Sequence, residues 1–187
     1  MNRNWKRTTQ LLIVGAVLAF TPLLASANGN NGAKDTPAGG DAYVAQQVRH
    51  ELLMLPYYSV FDNLEYRVNG YDVELFGQVT WPVLKSDAEN AVKHIEGVGQ
   101  VTNHIEVLPV SPMDWRIRRA EYRAVFGRGS LYRYAMGANP TIHIIVDNGH
   151  VTLVGVVQNQ MDKNLAGLQA NGVPGVFSVT NDLHVEG

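Results

Sequence analysis

Six arginines within 18 positions, Arg116, Arg118, Arg119, Arg123, Arg128 and Arg133, are the densest chemical feature of this sequence, and Tyr122, Phe126, Tyr132 and Tyr134 interleave with them. A guanidinium binds a phosphate through two parallel hydrogen bonds, and tyrosine is at home where an apolar layer meets a polar one. Such a run suits an anionic phospholipid surface. The competing reading is a solvated helix face whose arginines pair with acidic groups of the same chain. Trp81, beside Pro82, is a second residue that could touch a membrane or else fill a core.

Other chemistries find less support. Of six histidines, His143, His150 and His184 fall on the solvent parity of a predicted sheet. If Asn148-Gly149 is a two-residue turn, position 147 faces 150 and position 143 faces 154. His143 and His150 then lie near opposite ends of a hairpin, too far apart to join a third ligand at ~2 Å from one ion. Ser59, Ser86, Ser111, Ser130 and Ser178 lack a nucleophile-elbow context such as Gly-x-Ser-x-Gly, and the chain has no phosphate loop and no cysteine. The sequence calls for no metal, no cofactor and no catalytic group.

The N-terminus reads as an export signal: Arg3, Lys6 and Arg7 precede an apolar run from Leu11 to Phe20, and Ala25 and Ala27 occupy the small-residue positions before a cleavage point after Ala27. The run is about half of the ~20 residues a membrane-spanning helix needs. Residues 1–27 are therefore expected to be a cleaved signal peptide, leaving no transmembrane helix in the mature chain and placing it in the periplasm. Cleavage removes three basic residues and no acidic one, leaving 12 Lys and Arg against 17 Asp and Glu. That balance argues against a nucleic-acid partner, which calls for a basic footprint. Residues 28–40, rich in Gly, Asn and Pro, are expected to form a flexible linker.

The rest is a repeat. A shift of 78 positions lays Val73, Leu75, Gly77 and Val79 on Val151, Leu153, Gly155 and Val157; further on, Ala88, Gly97, Val101, Asn103 and Val107 fall on Ala166, Gly175, Val179, Asn181 and Val185. Each copy reads as helix, strand, strand, helix, strand. Asp41 can cap a helix carrying Val44, Val48, Leu52 and Leu55; Asn69-Gly70 supplies a hairpin turn; Pro82 opens a second helix, which Gly97 stops. The second copy follows with Asn148-Gly149 as its turn and a helix from about Asn159. Its front end, residues 113–139, is longer, richer in Arg and Tyr, and does not align at the same offset.

Val73 to Val79 with Gly97 to Val107, and Val151 to Val157 with Gly175 to Val185, both follow Val-x-Leu-x-Gly-x-Val, a helix, then Gly-Val-x-x-Val-x-Asn-x-(Ile/Leu)-x-Val. This pattern resembles the BON domain, the module of osmotically inducible periplasmic proteins. The resemblance implies an envelope-associated, non-catalytic module thought to bind phospholipid or other envelope components, for maintenance or a stress response. Its own residues are structural: Gly77 and Gly155 suit close backbone approach, Gly97 and Gly175 a helix-to-strand turn, and Asn103 and Asn181 bonds to local backbone.

The expected fold is α+β, two tandem αββαβ sandwiches over residues 41–108 and 113–187, each a three-stranded sheet with two helices on one face. Leu108 to Pro112, with two prolines, should keep them from swinging freely. Ile145, Val154 and Val156 fall on the parity away from the second core, where water would favour polar residues. Either the first module or another copy covers that face, or it docks an envelope protein. The function expected first is contact with anionic phospholipid through the arginine run, with Tyr122 and Trp81; a protein-interaction adaptor is the alternative.

Overall fold

The computed structural model describes residues 12–13, 40–127, 129–137 and 139–186. The signal-peptide and linker readings thus fall almost wholly outside the described residues. A two-residue strand β1 (Leu12–Ile13), within the stretch expected to be a signal peptide, pairs antiparallel with Tyr66 and Glu65. Among the described residues no helix is long and apolar enough to cross a membrane.

In the first module α1 (Gly40–Leu53) turns Val44, Val48 and Leu52 inward, the four-residue spacing that gives a helix one apolar stripe. Strands β2 (Asn63–Asn69) and β3 (Asp72–Val79) form an antiparallel hairpin, and α2 (Pro82–Lys93) follows with Pro82 in its first turn. The chain then returns parallel to β3 in two pieces, β4 (Val101–Asn103) and β5 (Glu106–Val107). Both helices lie on one face of the sheet, closing a core around Leu64, Val73, Leu75, Leu84 and Ile105. Two local readings are corrected. The hairpin turns at Gly70-Tyr71, because Asn69 still pairs with Asp72. The second helix ends at Lys93 with His94 as its cap, while Gly97, at φ 90°, makes the later reversal.

The second module repeats this: α3 (Pro112–Phe126), a 3-10 turn (Ser130–Ala135), β6 (Ile142–Asp147), β7 (His150–Val157), α4 (Gln160–Asn171) and β8 (Ser178–Val185). Strand β7 and helix α4 span the same positions as β3 and α2 shifted by 78. Asn148 and Gly149, at φ 49° and 80°, make the two-residue turn, placing Asp147 opposite His150 and His143 opposite Val154. Gly77 and Gly155 meet one requirement: a Cβ would lie 2.1 Å from the Asn63 carbonyl oxygen in one and 2.0 Å from that of Thr141 in the other. Asn103 and Asn181 bind alike too. Each donates to a carbonyl of the preceding helix, Lys85 or Lys163, and accepts from the amide two residues on, Ile105 or Leu183. The signature residues thus tie helix to last strand in both copies.

The sheets differ in their outer faces. On the first, Arg67 pairs with Glu74 at 3.0 Å and stacks over Phe76, a polar face suited to water. On the second, Leu108 from the end of the first module packs on Ile145 and Val154, so two of the three apolar outer residues are buried within the chain itself; Val156 stays half-buried. The α1–β2 loop covers the β6 edge. Ile144 N donates to Val60 O at 2.8 Å, and Val60 belongs to the second module's core. Asp62 fastens this loop, accepting from Ser59 N and Oγ at 3.0 and 2.6 Å and from Thr80 N and Oγ1 at 2.6 and 2.7 Å. His143 is a correction: it lies on the outer face as its parity requires, but this loop buries it to 2% exposure.

Candidate functional site

Helix α3 carries most of the arginines, and its start is well defined. Pro112 sits in the first turn, and the Ser111 hydroxyl accepts from Asp114 N at 3.1 Å, the usual cap for an otherwise unpaired amide. Asp114 is itself buried and accepts from Asn148 N and Gly149 N, at 3.1 and 2.9 Å, so the helix start grips the β6–β7 turn. Ile117 and Val125 enter the core below. On the opposite side Arg116, Arg119 and Arg123, three and four residues apart, share one exposed face. None of the three has an ion-pair partner among the described residues; Arg116 meets only Met113 Sδ, at 2.9 Å. No acidic neighbour among the described residues thus neutralises them within ion-pair distance.

The other arginines behave differently. Arg118 is 1% exposed, donates to Val146 O at 2.6 Å and lies 5.2 Å from the Trp115 ring centre. Burial holds its pKa below the ordinary arginine value, opposed by the charges of Asp114, Asp62 and Asp147. It is a structural strut and has no surface to offer a lipid. Arg133 pairs with Asp162, which also accepts from Tyr134 Oη at 2.6 Å and from Asn159 Nδ2 at 2.9 Å. These bonds keep the Asp162 carboxyl below its ordinary pKa against the opposing effect of burial. Arg128 lies outside the described residues.

Trp81 and Tyr122, distant in sequence, are joined by two residues that sequence reasoning missed. Trp81 lies 6.4 Å from Trp115, Trp115 lies 6.1 Å from Phe61, and Phe61 lies 6.4 Å from Tyr122, ring centre to ring centre. The two ends are exposed, Trp81 at 53% and Tyr122 at 39%, and the two middle rings are half-buried. An aromatic ridge thus crosses the module junction and ends at the arginine row. Phe61 and Tyr122 with Arg119 and Arg123 line a shallow cavity of about 320 Å³, and a second groove of about 690 Å³ runs from Arg116 and Arg123 to Pro174 and Gly175. Trp115 could have been found from its place one helical turn before Arg119; Phe61 carries no such mark.

Two further clusters involve groups associated with catalysis. Ser59, Asp62 and His143 converge, but the Ser59 hydroxyl donates straight to Asp62, and His143 Nδ1 reaches only the Ser59 carbonyl, at 3.3 Å. The imidazole touches no hydroxyl proton it could abstract from serine; its Nε2 lies 3.5 Å from Tyr58 Oη. Burial holds His143 below its ordinary pKa, so it is the neutral ring that fits this seam. The second cluster is a single group, Glu121 on the inner face of α3. It is fully buried, neither carboxyl oxygen has a hydrogen-bond partner, and burial pushes its pKa up to about 8. Among the described residues no three His, Asp or Glu gather as a metal site, and His150 instead bonds Ser178 Oγ at 2.7 Å.

No curated protein matches the chain. Two solved structures of CdsD, a structural protein of the Type III secretion system of Chlamydia trachomatis, are similar at 12% identity and a TM-score of 0.31. One covers 77% of this chain and 92% of its own, the other 82% and 100%. A likeness that weak adds nothing to the assignment. The family model of the BON domain matches residues 40–109 and 133–187, the two stretches that carry the repeated strands, the signature glycines and the signature asparagines. Helix α3 falls between those segments. With the repeat, the matched segments and the equivalent bonds of Asn103 and Asn181 in agreement, the chain belongs to the BON domain family and carries the module twice.

Proposed function

We propose that this protein is a non-enzymatic envelope module that attaches to the surface of anionic phospholipid through α3, the helix between its two matched BON segments, in the periplasm after export. The observation that carries the reading is the row of Arg116, Arg119 and Arg123 on one exposed helix face, without carboxylate partners among the described residues. Unpaired guanidinium groups are free to donate two hydrogen bonds each to lipid phosphates. The aromatic ridge from Trp81 to Tyr122 supports it, since Trp and Tyr favour the layer between headgroups and acyl chains. Membership of a family associated with phospholipid binding and the envelope points the same way. The adaptor reading loses its surface, because Ile145 and Val154 are already packed under Leu108.

The test is co-sedimentation of the chain without residues 1–27 with anionic and zwitterionic liposomes. At about 1 kcal/mol per basic residue near a charged surface, changing Arg116, Arg119 and Arg123 together to Ala should weaken anionic binding by roughly 100-fold. Raising salt should weaken the wild type in the same direction. Arg118→Ala is left out because it would unseat a buried strut. A folded wild type that ignores both liposomes defeats the reading.

A further inference from the structure

Glu121 stands between Ile117 and Val125, four residues from each. Laid on α1, these three positions coincide with Val44, Val48 and Leu52, the stripe that seats α1 on the first sheet. The second module therefore holds a carboxyl where the first holds an isopropyl group. Burying a polar group without a hydrogen bond is costly, and burying an unpaired charge costs far more. Glu121 meets both conditions for that penalty, being fully buried with both oxygens unpartnered.

The elements packed against α3 offer it no compensation. Strand β6 brings His143, which faces the first module, and Asp147, which is exposed. Helix α4 brings Asp162, already bound by Tyr134 and Arg133, and the half-buried Lys163. The 3-10 turn adds Tyr132, which is exposed, with Arg133 and Tyr134 engaged by Asp162. On α3 itself Asp114 and Arg118 bond to the β6–β7 hairpin, and Arg116, Arg119, Tyr122 and Arg123 face outward. Burial is the sole cause of the displaced titration of Glu121.

We propose that Glu121 is a proton-operated latch on the arginine-bearing helix: protonated, it lets α3 lie on the second sheet; as the proton is lost, α3 loosens and the fixed spacing of Arg116, Arg119 and Arg123 goes with it. The sign follows from linkage. A carboxyl whose folded pKa is raised contributes seating that is complete below its unfolded value of 4.5 and is lost progressively as pH rises toward about 8. Lipid phosphates held against α3 disfavour a negative charge beneath it, so proton uptake by Glu121 and binding to anionic lipid reinforce one another. This last coupling rests on the lipid reading; the latch itself does not.

Hydrogen exchange on the full chain, corrected for base-catalysed intrinsic exchange, tests the latch without any lipid. Between pH 5 and 8 the α3 amides of the wild type should lose protection at least about tenfold, while α1, with Val48 at the same place, stays constant. Glu121→Gln and Glu121→Val should both abolish the pH dependence; using the two keeps the test open if one folds poorly. Protection of α3 that is flat across this range, or that falls equally in Glu121→Gln, overturns the latch. Anionic-liposome binding that strengthens on acidification no more in the wild type than in Glu121→Gln overturns the coupling, and leaves the lipid reading to stand on its own liposome result.

Discussion

The two modules share their hairpins, second helices and signature bonds at one fixed offset, and part company in the helix that opens each. Helix α1 buries only apolar side chains along its inner stripe, and its sheet turns a polar outer face to water. Helix α3 buries Asp114, Arg118 and Glu121, and the outer face of its sheet is covered over His143, Ile145 and Val154. The difference separates scaffold from site. What the copies have in common holds the fold; the ionisable groups that could bind or respond are concentrated where they diverge, a general property of functions grafted onto a shared architecture.

The most severe way to test that contrast is to exchange the central residues of the two helices. Val48→Glu should give the first module the second's burden and destabilise it by about 4 kcal/mol, read by urea denaturation at pH 7. Glu121→Val should move the second in the opposite direction; stability unchanged in both would mean that the two helices do not occupy equivalent seats. Next, Gly77→Ala and Gly155→Ala should each cost about 3 kcal/mol, because the new methyl meets a carbonyl oxygen of the neighbouring strand in both. A clearly milder loss at one of them would break the equivalence of the hairpins. Smallest is the seam at His143. With its folded pKa lowered, its contribution is complete above the ordinary histidine value of 6.5 and is lost as pH falls below it. One proton limits the slope to about 1.4 kcal/mol per pH unit. Trp fluorescence, reporting the Trp81–Trp115 contact, should change on acidification in the wild type and not in His143→Gln.

Most of the fold was legible because the repeat is nearly free of insertions: one offset placed both hairpins, both second helices and both asparagines, and Asn148-Gly149 fixed the register of the second hairpin. Asn69-Gly70 misled by one residue, since the first turn uses Gly70 at its leading position and leaves Asn69 paired. The site was legible only in part. Composition showed the arginine run, but not that Arg118 faces inward and Arg133 meets Asp162, because both depend on contacts far along the chain. Glu121 escaped for a simpler reason. The offset of 78 fails over the opening helices, and only their own alignment sets Glu121 on Val48. The apolar parity of Ile145 called for a cover, but the burial of His143 could not be seen in the second module, since its cover is supplied by Tyr58 and Ser59.

The strip from Tyr58 to Val60 also permits an order of events. It belongs to the half of the chain that is synthesised first, and Asp62 ties it to Thr80 with contacts confined to that half. The first module can thus be complete, with its strip in place, before β6 emerges. When β6 arrives, the Ile144 amide meets a waiting acceptor in Val60 instead of the edge of a neighbouring chain. Reversing the two modules would leave every core residue unchanged and make the vulnerable edge wait for its cover.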